Sequence, residues 1–142
     1  MESWQLTSYP ELDMVIRLVI AAFIGGVIGY ERAKAGKAAG LRTHLLVCLG
    51  AALFTIISVY GFGENGDPSR VAAGVVVGIG FLGAGTILRQ EKGVAGLTTA
   101  ATIWAVAAIG LAVGAGLYVV AGVAAVIVPV SLRFLPRHHP GE

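Results

Sequence analysis

The chain has 142 residues, of which 56% are hydrophobic and only 13% are charged. Soluble domains carry about 25% charged residues, so this composition excludes an ordinary water-soluble fold and indicates an integral membrane protein. A net charge of +2 without a basic stripe gives no indication of a nucleic-acid partner, and a single cysteine excludes an intramolecular disulfide.

Residues 1–13 contain three acids and no lysine or arginine. A cleaved signal peptide needs a basic segment before its apolar run, so we expect the first apolar run to be retained. A helix needs roughly 17–25 apolar residues to cross a hydrocarbon layer about 30 Å thick. Five stretches meet this requirement: residues 12–30, 44–62, 71–88, 97–114 and 116–134.

The last two stretches are almost continuous. As one helix, residues 97–134 would be about 57 Å long, nearly twice the thickness available. We therefore expect a reversal at Gly114-Ala115-Gly116, where glycine permits a positive φ. The predicted fold is all-α, a single membrane domain with a bundle of about five transmembrane helices and no soluble C-terminal domain.

Basic residues are concentrated in the loops on one side of this bundle. Eight of the ten lysines and arginines fall there: Arg32, Lys34, Lys37, Arg42, Arg89, Lys92, Arg133 and Arg137. Cytoplasmic loops are enriched in lysine and arginine, so we expect the N-terminus to lie outside and the C-terminus to be cytoplasmic.

Glycines recur at helical spacing inside the predicted spans. Those expected to mediate helix packing are Gly25, Gly29, Gly74, Gly78, Gly80, Gly83 and Gly85. Helices in lipid associate through close backbone contact at small residues, and small residues on all sides of the third helix predict that it is the hub of the bundle. The run from Gly78 to Gly83 also fits a dinucleotide-binding fingerprint. No acid follows at the spacing that would hold a ribose, so we reject a dinucleotide site and interpret these glycines as packing residues.

Charged residues near the outer ends of the spans have local structural explanations. Asp13 and Arg17 lie one helical turn apart, which predicts an ion pair with Arg17 extending to the membrane surface. Asp67 followed by Pro68 predicts an N-cap whose carboxylate accepts from the Arg70 amide. An ion contact at Asp67 and Arg70 stays open, as does a functional role for Arg17, because intramembrane charges often mark functional sites.

A candidate functional cluster of polar residues is expected at the cytoplasmic rim. Its members are Glu31, Arg32, Arg42, Thr43, His44, Thr98 and Thr99. Glu31 lies at the unfavourable end of a helix dipole, so we expect it to pair with an arginine or a bound cation. The threonines are interpreted as helix caps, and anion binding at the start of the fourth helix is the alternative.

No set of residues in the sequence suggests catalysis, so we do not expect an enzyme. A dedicated Mg²⁺ site usually needs one or two converging carboxylates, and Glu31 and Asp67 are predicted on opposite faces of the membrane. We expect no cofactor, and a Mg²⁺ contact is left open.

Five segments together resemble the MgtC/SapB family of bacterial membrane proteins. They are GGVIGYER at 25–32, AGLRTH at 39–44, DPSR at 67–70, GIGFLGAGTIL at 78–88 and GLTTAATIW at 96–104. The resemblance covers about residues 12–134 and implies a multi-pass protein of the bacterial inner membrane that is linked to Mg²⁺ homeostasis. Longer members of the family carry a soluble C-terminal domain, so the chain resembles the short form.

Two functions are compatible with these features. In the first, which we favour, the protein binds lipid or another membrane protein through its glycine-lined helices and basic loop. In the second, it is a small homo-oligomeric transporter or channel for Mg²⁺ or another ion, with a path lined by Glu31, Thr98, Thr99 and the glycines of the third helix.

Overall fold

The computed structural model describes residues 9–62, 67–90 and 93–135. Five helices and a small antiparallel hairpin account for nearly all of them: α1 Pro10–Lys34, α2 Leu41–Tyr60, α3 Pro68–Ala84, β1 Leu88–Gln90, β2 Gly93–Ala95, α4 Leu97–Gly114 and α5 Tyr118–Phe134. The predicted all-helical architecture with five helices is confirmed. By length and composition α1, α2 and α4 can each cross a membrane, whereas α3 and α5 are apolar helices of 17 residues.

The helix ends differ from the predicted bounds by up to four residues. Differences of four residues occur at the end of α3, which stops at Ala84, and at the end of α1, which continues to Lys34 and therefore includes Glu31 and Arg32 in its last turns. The predicted reversal between α4 and α5 is present, and Gly116 adopts a φ of +80° there. The expectations for two parts of the chain lie outside the described residues: Lys92, and the tail after residue 135, which includes Arg137.

The hairpin between α3 and α4 was not predicted. Leu88 pairs with Ala95, Arg89 with Val94 and Gln90 with Gly93. Strands of three residues are too short to show an alternating apolar pattern, so the segment resembled a helix end followed by a loop. Gly96, with a φ of +89°, turns the chain from the hairpin into α4.

The centre of the bundle is α4 and not α3, so the predicted hub was wrong. α4 contacts all four other helices, and its buried residues extend from Thr99 to Gly114. In α3 the only buried residue is Gly83, which approaches Ala100 of α4. Gly74, Gly78 and Gly80 face open space within the described part of the chain. The prediction of a central α3 failed because a glycine permits another helix to come close without specifying which helix does so.

Close helix approach occurs instead where glycines of α1 and α4 meet the backbone of α2. A Cβ atom on Gly25 would lie 2.6 Å from both the Cys48 Cβ and the His44 carbonyl oxygen. On the other side of α2, a Cβ atom on Gly110 would overlap the Cys48 carbonyl oxygen. Cys48 is fully buried between the two glycines, and the surrounding core consists of small and branched apolar residues.

We predict that Gly110→Ala destabilises the protein, because the added methyl group meets backbone that a rotamer change cannot move. Overpacking of this kind typically costs about 1–3 kcal/mol, and it should lower the thermal unfolding temperature in detergent.

Gly122→Ala in α5 is the matched control, because a Cβ atom there meets nothing within 4 Å. Alanine is also the better helix former by about 1 kcal/mol, so this variant should be at least as stable as the parent. Equal unfolding temperatures for the two variants would contradict the close approach at Gly110.

Candidate functional site

Buried polar residues form two clusters at opposite ends of the bundle, one around Arg17 and one around Glu31. The two positions are 14 residues apart in α1, or about 21 Å along a helix. The core between them is apolar and includes Ala21, Cys48 and Val106, each fully buried.

The Arg17 cluster joins four helices. Arg17 Nε donates to Asp13 Oδ2 at 2.7 Å, and a second guanidinium nitrogen lies 2.6 Å from the same oxygen. The third nitrogen donates to the Gly114 carbonyl oxygen at 2.8 Å. The guanidinium also lies about 6 Å from the ring centres of Tyr60, at the end of α2, and Tyr118, at the start of α5.

The predicted ion pair between Asp13 and Arg17 is therefore present, but Arg17 does not extend to the surface. Its side chain is only 3% exposed because it turns inward to the last turn of α4. The final carbonyl groups of a helix have no partner within that helix, and Arg17 supplies one to Gly114. The sequence indicates that an intramembrane arginine needs partners, but not that a carbonyl 97 residues away is one of them.

The Glu31 cluster brings α1, α2 and α4 together and contains Glu31, Arg32, His44 and Thr99. Arg32 is buried and donates to Thr99 Oγ1 at 3.3 Å. His44 is fully buried, and its Nδ1 lies 2.9 Å from the Gly40 carbonyl oxygen. A carbonyl can only accept, so Nδ1 carries the proton, and in the neutral imidazole Nε2 then presents a lone pair.

Two acceptor atoms in this cluster are buried without a hydrogen-bond partner among the described residues: Glu31 Oε2 and His44 Nε2. Both the Glu31 carboxylate and the Arg32 guanidinium act electrostatically on His44. The cluster holds a single carboxylate beside the positively charged Arg32 guanidinium, so it offers few of the oxygen ligands that a divalent cation prefers. In the described part of the chain, no three His, Cys, Asp or Glu side chains converge as metal ligands.

The other predicted rim residues lie apart from this cluster or on its edge. Arg42 and Thr43 are exposed in the first turn of α2. Thr98 is half-buried, and its carbonyl oxygen accepts from Thr102 Oγ1 at 2.6 Å. The helix caps predicted for the threonines are wrong, because α2 and α4 begin after Gly40 and Gly96 with no side-chain cap.

At the other end, Asp67 caps α3 as predicted but through a different donor. Its carboxylate accepts from the Ser69 amide at 2.9 Å and from the Ser69 hydroxyl at 2.6 Å. These hydrogen bonds favour the ionised form and lower the pKa of Asp67. The Arg70 amide instead donates to the Asp67 main-chain oxygen at 3.2 Å, and both side chains are exposed.

An apolar groove of about 790 Å³ separates α2 from most of α3. Only apolar residues and glycines line it, including Leu46 and Phe54 from α2 and Val75 and Leu82 from α3. Gly74 and Gly78, predicted as packing glycines, face this groove and not another helix of the chain.

Comparison with known proteins identifies the family. A sequence model of the MgtC family matches residues 18–140. The chain belongs to the MgtC family. No solved structure matches it.

Several curated relatives resemble this MgtC-family chain. "Putative magnesium transporter YhiD" of Escherichia coli K12 is 52% identical over 113 residues, which cover 75% of the chain and 53% of that protein. Protein SapB of Bacillus subtilis is 40% identical over 92% of the chain and 60% of its own length. Protein MgtC of Brucella abortus strain 2308 is 50% identical over 76% of the chain and 45% of its own length. The chain thus aligns with roughly half the length of these relatives.

The MgtC-family match includes the Glu31 cluster and the groove between α2 and α3. Asp13 and Arg17 precede its first residue, residue 18. The alignment with SapB, which covers 92% of the chain, includes both residues. The contacts of the Arg17 cluster tie the start of α1 to the ends of α2 and α4 and to the start of α5.

We predict that Asp13→Ala strongly destabilises this MgtC-family chain. The substitution leaves the Arg17 guanidinium buried with only part of its hydrogen bonding, and breaking a buried ion pair costs about 3–5 kcal/mol. Thermal unfolding in detergent or nanodiscs measures the loss.

Glu11→Ala is the control, since Glu11 is an exposed acid in the same first turn of α1. The double variant Asp13→Ala with Arg17→Leu should recover much of the loss, because no unpaired charge stays buried. A loss after Asp13→Ala no larger than after Glu11→Ala would contradict this role.

Proposed function

We propose that this chain is a Mg²⁺-homeostasis protein of the bacterial inner membrane that acts by binding another membrane protein in the α2–α3 groove. The observation that carries the proposal is the groove itself, an apolar channel along two helices that the described residues leave unfilled. The magnesium link rests on family membership and on the name of the relative YhiD.

The shape of the groove favours a helix as its occupant. Gly50 of α2 and Gly74 and Gly78 of α3 all line it, and a Cβ atom on any of them would meet nothing within 4 Å. Three glycines along one channel allow the backbone of an incoming helix to come close, which is how helices associate in lipid. The incoming helix belongs either to a second copy of this chain or to a different protein.

The exposure of most of α3 supports this proposal. α3 buries only Gly83 against α4, while Val77 and Phe81 are 75% and 87% exposed. A polar contact from Ser58 to the Pro68 carbonyl oxygen, 3.2 Å long, links its start to α2. Because α3 buries so little of its own surface, an occupant of the groove can pack against it without displacing the core.

We further propose that the end of the bundle with the Glu31 cluster faces the cytoplasm. The exposed cations Lys34, Arg42 and Arg133 lie at this end, where α1 and α5 finish and α2 begins. Lysine and arginine next to membrane helices favour the cytoplasmic side, and this supports an outside position for the N-terminal end of α1 in the proposal.

The transport alternative is less well supported by the geometry of one protomer. Between the two polar clusters the described core consists mainly of apolar side chains packed against glycines. The buried Thr102 hydroxyl donates to the Thr98 carbonyl oxygen, so a hydrated ion would find little polar lining there. The two unpartnered acceptors of Glu31 and His44 lie at one end only. We propose binding and not transport, and we expect no enzymatic activity.

We predict that Gly78→Leu abolishes partner binding, because an isobutyl side chain occupies the groove. A photo-reactive residue at position 75, which lines the same groove, should cross-link to a membrane protein in the parent and not in this variant. Growth in scarce Mg²⁺, in a strain that depends on this chain, should fall in parallel.

Gly80→Leu is the control, because Gly80 also faces open space but does not line the groove. It should preserve both the cross-link and the growth. If Gly78→Leu retains both the cross-link and the growth, the proposal is refuted. The mass of the cross-linked product distinguishes a second copy of this chain from a different protein.

For the transport alternative, we predict that purified protein in liposomes gives no Mg²⁺ flux above empty vesicles. A flux that Glu31→Gln abolishes would instead favour a transporter. Arg42→Gln, at an exposed position of the same end of the bundle, is the matched control for a general effect of charge.

A further inference from the structure

We propose that the exposed surface shared by α1 and α2 holds an anionic phospholipid. One acyl chain lies in a groove on this surface, and the headgroup phosphate lies between Lys34 and Arg42. This face is separate from the α2–α3 groove and does not depend on the function proposed for it. Three observations carry the inference: an apolar groove, two exposed cations beyond its end, and the inward position of the nearby acid.

A groove of about 550 Å³ runs along α1 beside α2. Its lining includes Val19, Phe23, Val27 and Tyr30, which follow one another at intervals of three or four residues on one face of α1. Gly26 provides a low point between them, and Leu45 forms the α2 side. Phe23 and Tyr30 are 70% and 62% exposed, so they stand as walls beside a channel suited to a flexible chain.

Two cations continue this face beyond Tyr30. Lys34 lies four residues after Tyr30 in α1, and Arg42 lies three residues before Leu45 in α2, so each is on the groove side of its helix. Both side chains are exposed. Neither makes a hydrogen bond or ion pair within the described ranges 9–62, 67–90 and 93–135.

The acid in this region does not neutralise them. Glu31 lies in the same last turns of α1, but its Oε2 is buried in the Glu31 cluster near His44. The surface beyond the groove is therefore positive, and Tyr30 marks the depth at which aromatic side chains meet headgroups. Juxtamembrane lysines and arginines attract anionic lipid, whereas a zwitterionic headgroup brings no net negative charge.

The groove favours a lipid over a soluble phosphate or a protein helix. An inorganic phosphate would use the two cations alone and gain nothing from the apolar channel. A helix needs close backbone contact at small residues. Ala22 and Gly26 are small, but the bulky side chains of Phe23, Val27 and Tyr30 line the same groove and would hold a helix backbone away from them. An acyl chain fits the channel because it can bend around these side chains.

Native mass spectrometry of the full chain in detergent, titrated with phosphatidylglycerol or phosphatidylcholine of the same acyl chains, tests the proposal. We expect the parent to bind phosphatidylglycerol more tightly. Lys34→Gln and Arg42→Gln should each weaken that binding about fivefold and leave phosphatidylcholine binding unchanged. Arg70→Gln, which removes an exposed cation at the start of α3, should change neither.

Variants of the groove separate lipid from phosphate. Gly26→Leu fills the channel without a backbone clash, because a Cβ atom there lies 3.7 Å from the Leu45 Cδ1. Phe23→Ala removes one wall at an exposed position, so it provides a second test if the larger residue disturbs folding. Both should weaken phosphatidylglycerol binding with Lys34 and Arg42 intact, and glycerol phosphate should not compete.

Three results would overturn the proposal. Equal affinity for the two lipids would show that the cations do not select the headgroup. Competition by glycerol phosphate with no effect of Gly26→Leu or Phe23→Ala would show a phosphate site without a lipid. A loss after Arg70→Gln as large as after Arg42→Gln would show a general effect of net charge.

Discussion

The arrangement of this protein depends on the close approach of three helices at Cys48 of α2. Gly25 of α1 lies on one side of that residue and Gly110 of α4 on the other, and neither position has room for a Cβ atom. Lipid is as apolar as the helix surfaces, so contact between backbones, and not the hydrophobic effect, holds helices together in a membrane. The α1–α2–α4 core is thus the most closely packed part of the described structure, and the remaining elements are arranged around it.

The polar clusters lie at the two ends of this core because its middle has no room for them. Arg17 joins Asp13 to the last turn of α4 at one end. Arg32 reaches Thr99 at the first turn of α4 at the other. Helix ends are where backbone groups lack partners, so buried charged side chains can be accommodated there at the lowest cost. The two clusters therefore restrain the position of α4 along α1 and its tilt relative to α1.

Outside the core, α3 and α5 are more exposed, and this difference determines which surfaces are open to other molecules. α3 touches α4 at Gly83 and leaves Gly74 and Gly78 facing a groove. The opposite side of α2 carries the shallower groove that ends near Lys34 and Arg42. One surface suits a helix because it is lined by glycine, and the other suits a lipid because it combines bulky apolar walls with positive charge.

The sequence by itself determined the membrane class, the five helices, the reversal before Gly116 and the ion pair of Asp13 with Arg17, because composition, run length and one-turn spacing are local properties. It also led to the family through contiguous motifs. Only the tertiary structure decided that α4 and not α3 is central, that Arg17 turns inward, and that Glu31 and His44 separate from Arg42. These features depend on which helices pack against each other. A glycine or a buried charge in the sequence indicates that a neighbouring group is required, but not which residue of the chain provides it.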